Sequence, residues 1–329
     1  MRILVTGATG FLGSRTALLL KEAGWSVTGG GRDPQAGARL EAQGVPFLPL
    51  DLRDGAAIDR ACSGMDAVVH CAALSSPWGR YRDFYATNVE GTARIAESCL
   101  RGGAGRLVFV SSPSVYFDYR DRLLTRESDP PARRPANAYA ATKLEAERVV
   151  AACSERGLAA VILRPRALFG PGDPALFPRL MRVGSGRGIP LMKGGAALID
   201  LTYVDDAARA IIQACTAPGA PGQTLNLSGG EPRTLLAIMT RLSELLELPL
   251  RTRPVARPAA LAAGSLLEMA YRILPLPGGE PPFTRYSVAQ LAYSQTLDLT
   301  EARRVLGYAP QVGVDEGLRR FAQWWRSSR

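Results

Sequence analysis

Histidine is nearly missing from this 329-residue chain, with His70 the one present. Multi-histidine zinc sites, HExxH proteases and His-pair metal centres are therefore excluded, and no metal is expected. A Ser-His-Asp triad would have to be built on His70 alone. Lysine is scarce too, at Lys21, Lys143 and Lys193, so arginine carries most of a formal net charge of +10. An Arg-for-Lys bias with many Ala and Gly is what a GC-rich genome yields. The remaining charge favours anionic ligands such as phosphates or carboxylates. No basic run interleaved with aromatics is present, which sets nucleic acid aside as a partner. The five cysteines are scattered, odd in number and without a CxxC pair. They read as small buried thiols of a reducing cytoplasm. Met1-Arg2 leads straight into Ile3-Leu4-Val5 and a glycine turn, without a signal-peptide pattern. Long apolar runs are lacking. The Ala- and Leu-rich stretch from Pro258 to Pro277 carries Glu268 and Arg272 and is bracketed by prolines. A membrane span needs about 20 apolar residues with few charges. The stretch predicts a surface-packed amphipathic helix over 259–273, with contact at a membrane surface or a lid as further readings.

What is present is an ordinary apolar content of 47% with 21% charged residues. That excludes disorder and suits one large core, or a large domain with a smaller one upon it. The first half alternates short continuous apolar runs (ILV, AVVH, LVFV, AVIL) with helical stretches, the longest predicted over Ala138–Arg156. Short runs of this kind suit parallel strands buried on both faces. Their alternation with helices predicts an α/β fold, a Rossmann-type doubly wound parallel sheet over residues 1–170. Residues 171–329 read as a smaller, less regular α/β substrate subdomain, with a later strand near 197–203 expected to return to the sheet.

Thr6-Gly7-Ala8-Thr9-Gly10-Phe11-Leu12-Gly13 follows the first predicted strand and opens the first predicted helix. Glycines at this spacing permit a tight turn, a close approach to a pyrophosphate and close helix–strand packing, with the helix N-terminus facing the phosphates. After the second strand, an NAD site usually places an acid for the ribose 2′-hydroxyl. Here that slot is Gly31, followed by Arg32. Glycine leaves room for a 2′-phosphate and a guanidinium binds one bidentately, so NADP is favoured. Asp33 serving as the acid, and hence NAD, is the rival.

Tyr139 and Lys143 stand at i and i+4 on the long helix and share a face. An ammonium nearby stabilises phenolate, which predicts a lowered tyrosine pKa. Such a tyrosine protonates a carbonyl oxygen or deprotonates an alcohol. Ser111, Ser112 and Ser114 follow the strand predicted over Leu107–Val110, placing hydroxyls at the sheet edge where ligands bind.

At this point the chain resembles the extended short-chain dehydrogenase/reductases. The ordered set is TGATGFLG at 6–13, DLRD at 51–54, HCAA at 70–73 and NVEGT at 88–92, then SSPSVY at 111–116 and YAATK at 139–143. LRPRALFGPGD at 163–173, DLTYVDD at 200–206 and LGYAP at 306–310 complete it. The resemblance implies that Asp51 and Leu52 contact the adenine, and that Ala72 and Ala73 line the cofactor. It places Pro165 to Leu168 beside the nicotinamide and Asn88 near the site. Ser112 becomes the serine that polarises the carbonyl, Tyr139 the acid–base and Lys143 the residue holding the ribose. It also suggests a homodimer through the helices at 87–101 and 138–156. His70 is expected to pack and hydrogen-bond rather than act as a base.

Nucleotide-sugar members usually carry an arginine just before the aspartate of the DxxYVxD segment; Ile199 occupies that slot here. An apolar residue there suits an apolar substrate. Trp78, Tyr116, Phe177 and Ile199 are candidate lining residues. Segments 281–286 and 292–297 resemble the bacterial branch that is 3-beta-hydroxysteroid-dehydrogenase-like and includes the 2-alkyl-3-oxoalkanoate reductases. The reading is a ketone/alcohol oxidoreductase on a hydrophobic substrate. A nucleotide-sugar epimerase, dehydratase or reductase and a non-catalytic NADP-sensing protein are the alternatives.

Overall fold

The computed structural model describes residues 1–185, 188–274 and 280–328. Seven parallel strands form the central sheet. Their order from one edge is Thr224–Leu227, Ala160–Pro165, Leu107–Val110, Ala67–His70, Arg2–Thr6, Ser26–Gly31 and Phe47–Pro49. The apolar runs read as strands do so because both faces are covered: Ile3, Leu4, Val5, Val68, Val69, Val108 and Phe109 are all fully buried. One face packs beneath helices Phe11–Glu22 and Val204–Thr216, which Arg15 and Asp205 pair at 2.5 Å. The other lies beneath Gly91–Arg101 and Ala138–Glu155.

The strand expected near 197–203 does not return to this sheet. Leu198–Ile199 enters a second, four-stranded sheet with Arg233–Thr234, Gln295–Leu297 and Arg122–Thr125, while Thr202–Tyr203 pairs with Leu168–Phe169. The central sheet takes its seventh strand from Thr224–Leu227 instead, which pairs in register with Ala160–Pro165. Asp200 divides the run at 198–203. Its carboxylate accepts from the Leu297 amide at 3.2 Å, so the chain turns there to meet the second sheet. The second sheet, with helices Leu235–Leu246, Arg257–Ile273, Arg285–Ala292 and Val314–Ser327, builds a cap beyond the C-terminal ends of the central strands. Its aromatic core joins Phe169, Phe177, Tyr203 and Phe321.

The helix expected at 259–273 is present as Arg257–Ile273; residues 275–277 of that stretch lie outside the described residues. No described helix is long and apolar enough to cross a membrane.

Candidate active site

Parallel strands put all their C-terminal ends on one edge, and the crevice there is where doubly wound sheets bind ligands. The expected site residues follow these ends in turn: Gly7–Gly13, Arg32, Asp51, Ala72–Ala73, Ser112 and Pro165–Leu168.

The glycine loop has the shape a dinucleotide requires. Gly7 has φ +71°, and a Cβ on it would meet the Ala72 amide at 2.6 Å. A Cβ on Gly13 would sit 2.2 Å from the Gly7 carbonyl oxygen, so helix and loop pack only with glycine there. Helix Phe11–Glu22 starts at exposed Gly10 without a side-chain cap or an acid in its first turn. Its leading amides, at Phe11 and Leu12 beside half-buried Thr9, are thus left for an anion.

At the adenosine end, Gly31 lies against Thr9; a Cβ on Gly31 would be 2.8 Å from the threonine side chain. Asp33, the rival acid, is engaged as the cap of helix Pro34–Ala42, accepting from the Gln35 and Ala36 amides at 2.9 and 3.1 Å. Arg32 is exposed beside Asp51, whose carboxyl is held at about 2, first by Arg53 hydrogen bonds and weakly by Arg32. Leu52 is buried against Gly91.

Helix Ala138–Glu155, which carries Tyr139 and Lys143, is capped by Asn137, whose side chain accepts from the Ala140 amide at 2.9 Å. Tyr139, half-buried in its first turn, has the hydroxyls of Ser112 and Ser75 beside its own. Burial raises its pKa, and the two hydroxyls pull the other way by favouring phenolate. This corrects the expectation that Lys143 lowers it. The Lys143 ammonium instead donates to the Val110 carbonyl at 2.6 Å and lies 4.4 Å from the Phe109 ring centre. Burial brings its own pKa down to about 8, against the field of Glu147. Glu147 continues the same face at i+8. It accepts from Arg164 at 2.8 and 2.5 Å and from Ser111, the neighbour of Ser112. That buried network clamps the helix to the sheet below the reacting residues.

Asn88 lies in a π-helical turn, Tyr85–Glu90, and is buried. It accepts from the Leu74 amide at 2.8 Å and donates to the Leu74 carbonyl and to Thr142. It therefore ties the segment carrying Ser75 to helix Ala138–Glu155 and does not itself face the crevice. His70 is buried and bonds to Thr6 and Thr92 at 2.6 and 3.0 Å. The Thr92 hydroxyl proton goes to the Asn88 carbonyl, so Nε2 of His70 must donate to Thr92 while Nδ1 accepts from Thr6. A histidine so used is a packing residue.

Of the expected lining residues, Trp78 alone faces the cap, half-buried with Arg272 over its ring at 5.5 Å. Tyr116 is buried in the clamp, accepting from Arg164 and meeting Asn226. Phe177 and Ile199 fill the cap core. These three were expected to line the substrate pocket, but Tyr116 is drawn into the clamp and Phe177 and Ile199 into the apolar interior of the cap. The sequence reading missed Ser75 and Tyr286, and it placed Arg166 only within the segment 165–168 beside the nicotinamide, without a role of its own. Burial raises the Tyr286 pKa; the tyrosine senses both Tyr139 and Arg166. The i, i+4, i+8 spacing of Tyr139, Lys143 and Glu147 was the available sign of the clamp. Ser75 and Tyr286 had no local signal.

Fold and site together define a dinucleotide-dependent enzyme of the extended short-chain dehydrogenase/reductase class. The chain belongs to the NAD dependent epimerase/dehydratase family, whose profile matches residues 3–228. It is 37% identical to the 2-alkyl-3-oxoalkanoate reductase of Stenotrophomonas maltophilia (strain K279a), over 98% of both chains. It is 28% identical to the sterol-4-alpha-carboxylate 3-dehydrogenase, decarboxylating, of Mus musculus, over 97% of this chain and 89% of the mouse protein. Among solved structures it is similar to MoeE5 in complex with UDP-glucose and NAD, with TM-score 0.80 and 28% identity over 100% and 99% of the two chains.

Proposed function

We propose that the enzyme interconverts a ketone and a secondary alcohol on a hydrophobic substrate, 3-oxo-fatty-acid-like or steroid-like, with NADP favoured over NAD. The observation that carries this reading is Tyr139, beside the Ser112 and Ser75 hydroxyls at the sheet edge, with apolar Ile199 in place of a diphosphate-binding arginine. The nicotinamide, when bound, supplies or accepts hydride. Gly7, Gly10, Gly13 and the uncapped helix start would hold its pyrophosphate, and Arg32 beside Gly31 a 2′-phosphate.

Tyr139 holds its proton at neutral pH as any tyrosine does, and the Ser112 and Ser75 hydroxyls, which favour phenolate, ease its release against the effect of burial. In reduction the Tyr139 hydroxyl gives its proton to the ketone oxygen; in oxidation it regains one from the alcohol. Ser112 aims a hydroxyl at the same oxygen and stabilises its developing charge. Lys143, one turn on along the same helix, would hold the ribose of the bound cofactor.

Above Trp78, helix Arg257–Ile273 turns Leu266, Met269 and Ile273 to solvent at 62%, 53% and 73% exposure. We propose that this apolar row admits lipophilic substrates, as a lid or by resting on a lipid surface.

Thermal shift against NADPH, NADH, UDP-glucose and a long-chain 3-oxo acid tests the reading, because a ligand of the native state raises its stability with occupancy. NADPH with the 3-oxo acid should raise the melting temperature, and Tyr139→Phe should abolish turnover while leaving both shifts. A UDP-glucose shift without a 3-oxo acid shift would instead favour a nucleotide-sugar enzyme, the reading supported by the likeness to MoeE5.

A further inference from the structure

Arg166 is a buried cation without a carboxylate partner. It follows strand Ala160–Pro165, and its side chain is 6% exposed. Its Nε donates to the Gln295 carbonyl at 3.3 Å and its Nη1 to Gln290 Oε1 at 3.4 Å, both long for charged donors. Among the described residues, Nη2 donates to nothing and no carboxylate forms an ion pair with the guanidinium. Asp200, the acid whose field reaches it, accepts from the Leu297 amide through Oδ2, keeps Oδ1 buried without a hydrogen bond, and forms no ion pair with the guanidinium; burial pushes its pKa up, which weakens it as a counter-charge. A charge left with neutral, distant acceptors in a dry interior is costly to the fold unless something else completes it.

The surroundings share this surplus of donors. The Nε2 groups of Gln290 and Gln295 are buried and have no acceptor. Three elements therefore bring unmet N–H groups together: the turn after Ala160–Pro165, helix Arg285–Ala292 and strand Gln295–Leu297. Tyr286, from that same helix, lies within the electrostatic reach of both Arg166 and Tyr139, so the cluster adjoins the reacting centre.

We propose that Arg166, with Gln290 and Gln295, forms a subsite for the carboxylate of the substrate. A carboxylate is acceptor-only, with two oxygens and about four lone-pair sites, the complement of one guanidinium fork and two amide donors. A diphosphate carries more charge than one arginine answers, and the slot where its arginine would stand is buried Ile199. The inference rests on the ketone/alcohol reading and sharpens it. The substrate becomes an oxo or hydroxy acid whose carboxylate is held beside the carbonyl that Tyr139 protonates. Both curated relatives described above carry such a group in the names of their substrates.

The test compares 3-hydroxymyristate with its methyl ester by isothermal titration in the presence of NADPH, so that no turnover is needed. Wild type should bind the acid about tenfold or more tightly than the ester. Arg166→Met should erase that preference and leave ester affinity within about threefold. Gln290→Glu, which sets a carboxylate at the guanidinium itself, should fold at least as stably as wild type, lose the acid and keep the ester. This second variant keeps the idea testable if Arg166→Met fails to fold. Equal binding of acid and ester by wild type, or a Gln290→Glu enzyme that still prefers the acid, would overturn the subsite. Reduction of 2-decanone by NADPH reports separately on the ketone reading: its failure would remove that reading while the acid–ester comparison still judges Arg166.

Discussion

The proposed preference for NADP rests on two adjacent residues, Gly31 and Arg32. A Cβ at 31 would press on the Thr9 side chain at 2.8 Å, so a larger residue in the slot that usually meets the 2′-hydroxyl would have to displace it. Asp33 is turned to its own helix. What faces the adenosine end is one exposed guanidinium. Replacing Arg32 with Glu should raise the KM for NADPH by about tenfold or more, the loss of one charge-assisted fork, while the KM for NADH changes little or falls. Steady-state kinetics with both cofactors decide it, and equal KM values for NADPH in the two enzymes would return Arg32 to the solvent. Tyr139, Lys143 and Ser112 were legible from spacing and from their place after a strand. The partners that set their electrostatics were not. Ser75, Tyr286 and Arg166 come from segments more than 60, 140 and 20 residues away along the chain from Tyr139, and packing alone brings them to it.

Among the elements, the inner strands Arg2–Thr6, Ala67–His70, Leu107–Val110 and Ala160–Pro165 announce themselves because each is a nearly continuous buried run alternating with helices, so local pattern and final burial agree. The second sheet has no such signal. Leu198–Ile199 and Arg233–Thr234 are two residues each, and Arg122–Thr125 pairs with Gln295–Leu297 from far along the chain. Two residues cannot show an alternation of period two. The helix over this sheet was legible by contrast, since prolines and an amphipathic face mark it. Gly264 lets it cross helix Arg285–Ala292 closely: a Cβ there would stand 2.8 Å from the Arg285 backbone. That contact holds one face, and Leu266, Met269 and Ile273 occupy the other at spacings of three and four. Changing all three to Glu should leave the melting temperature within a few degrees, because surface changes rarely exceed about 0.5 kcal/mol each. It should cut flotation with liposomes and raise the KM for long-chain substrates more than for short ones. Unchanged flotation and an unchanged chain-length profile would leave the row without a role in substrate delivery.

Across the whole molecule, two buried basic groups make stability depend on pH in one direction. His70 joins the first strand to helix Gly91–Arg101, and through Thr92 and Asn88 to helix Ala138–Glu155, so its neutral form holds the site together. Burial, aided by the charge of Lys143, takes its pKa from 6.5 down to about 3. Between these values the unfolded chain binds the proton and the folded chain does not. Folding stability therefore falls as pH drops through that window, by up to about 1.4 kcal/mol per pH unit. Lys143 acts with the same sign higher up: between about 8 and 10.5 the unfolded chain is the more protonated, so stability rises with pH there. Buried acids oppose the histidine, since burial raises Glu127, Asp173 and Asp200, and a group of that kind stabilises the fold as pH falls. The raw pH curve thus mixes both signs, and only a difference isolates His70. Gln in its place offers one donor and one acceptor at similar reach and cannot ionise. His70→Gln should cost stability near pH 7 through imperfect packing, and that cost should shrink steadily as urea unfolding is repeated from pH 6.5 down to 4.5. A difference that stays constant over that range would mean that His70 is already protonated in the fold, and that its bonds to Thr6 and Thr92 do not require the neutral ring.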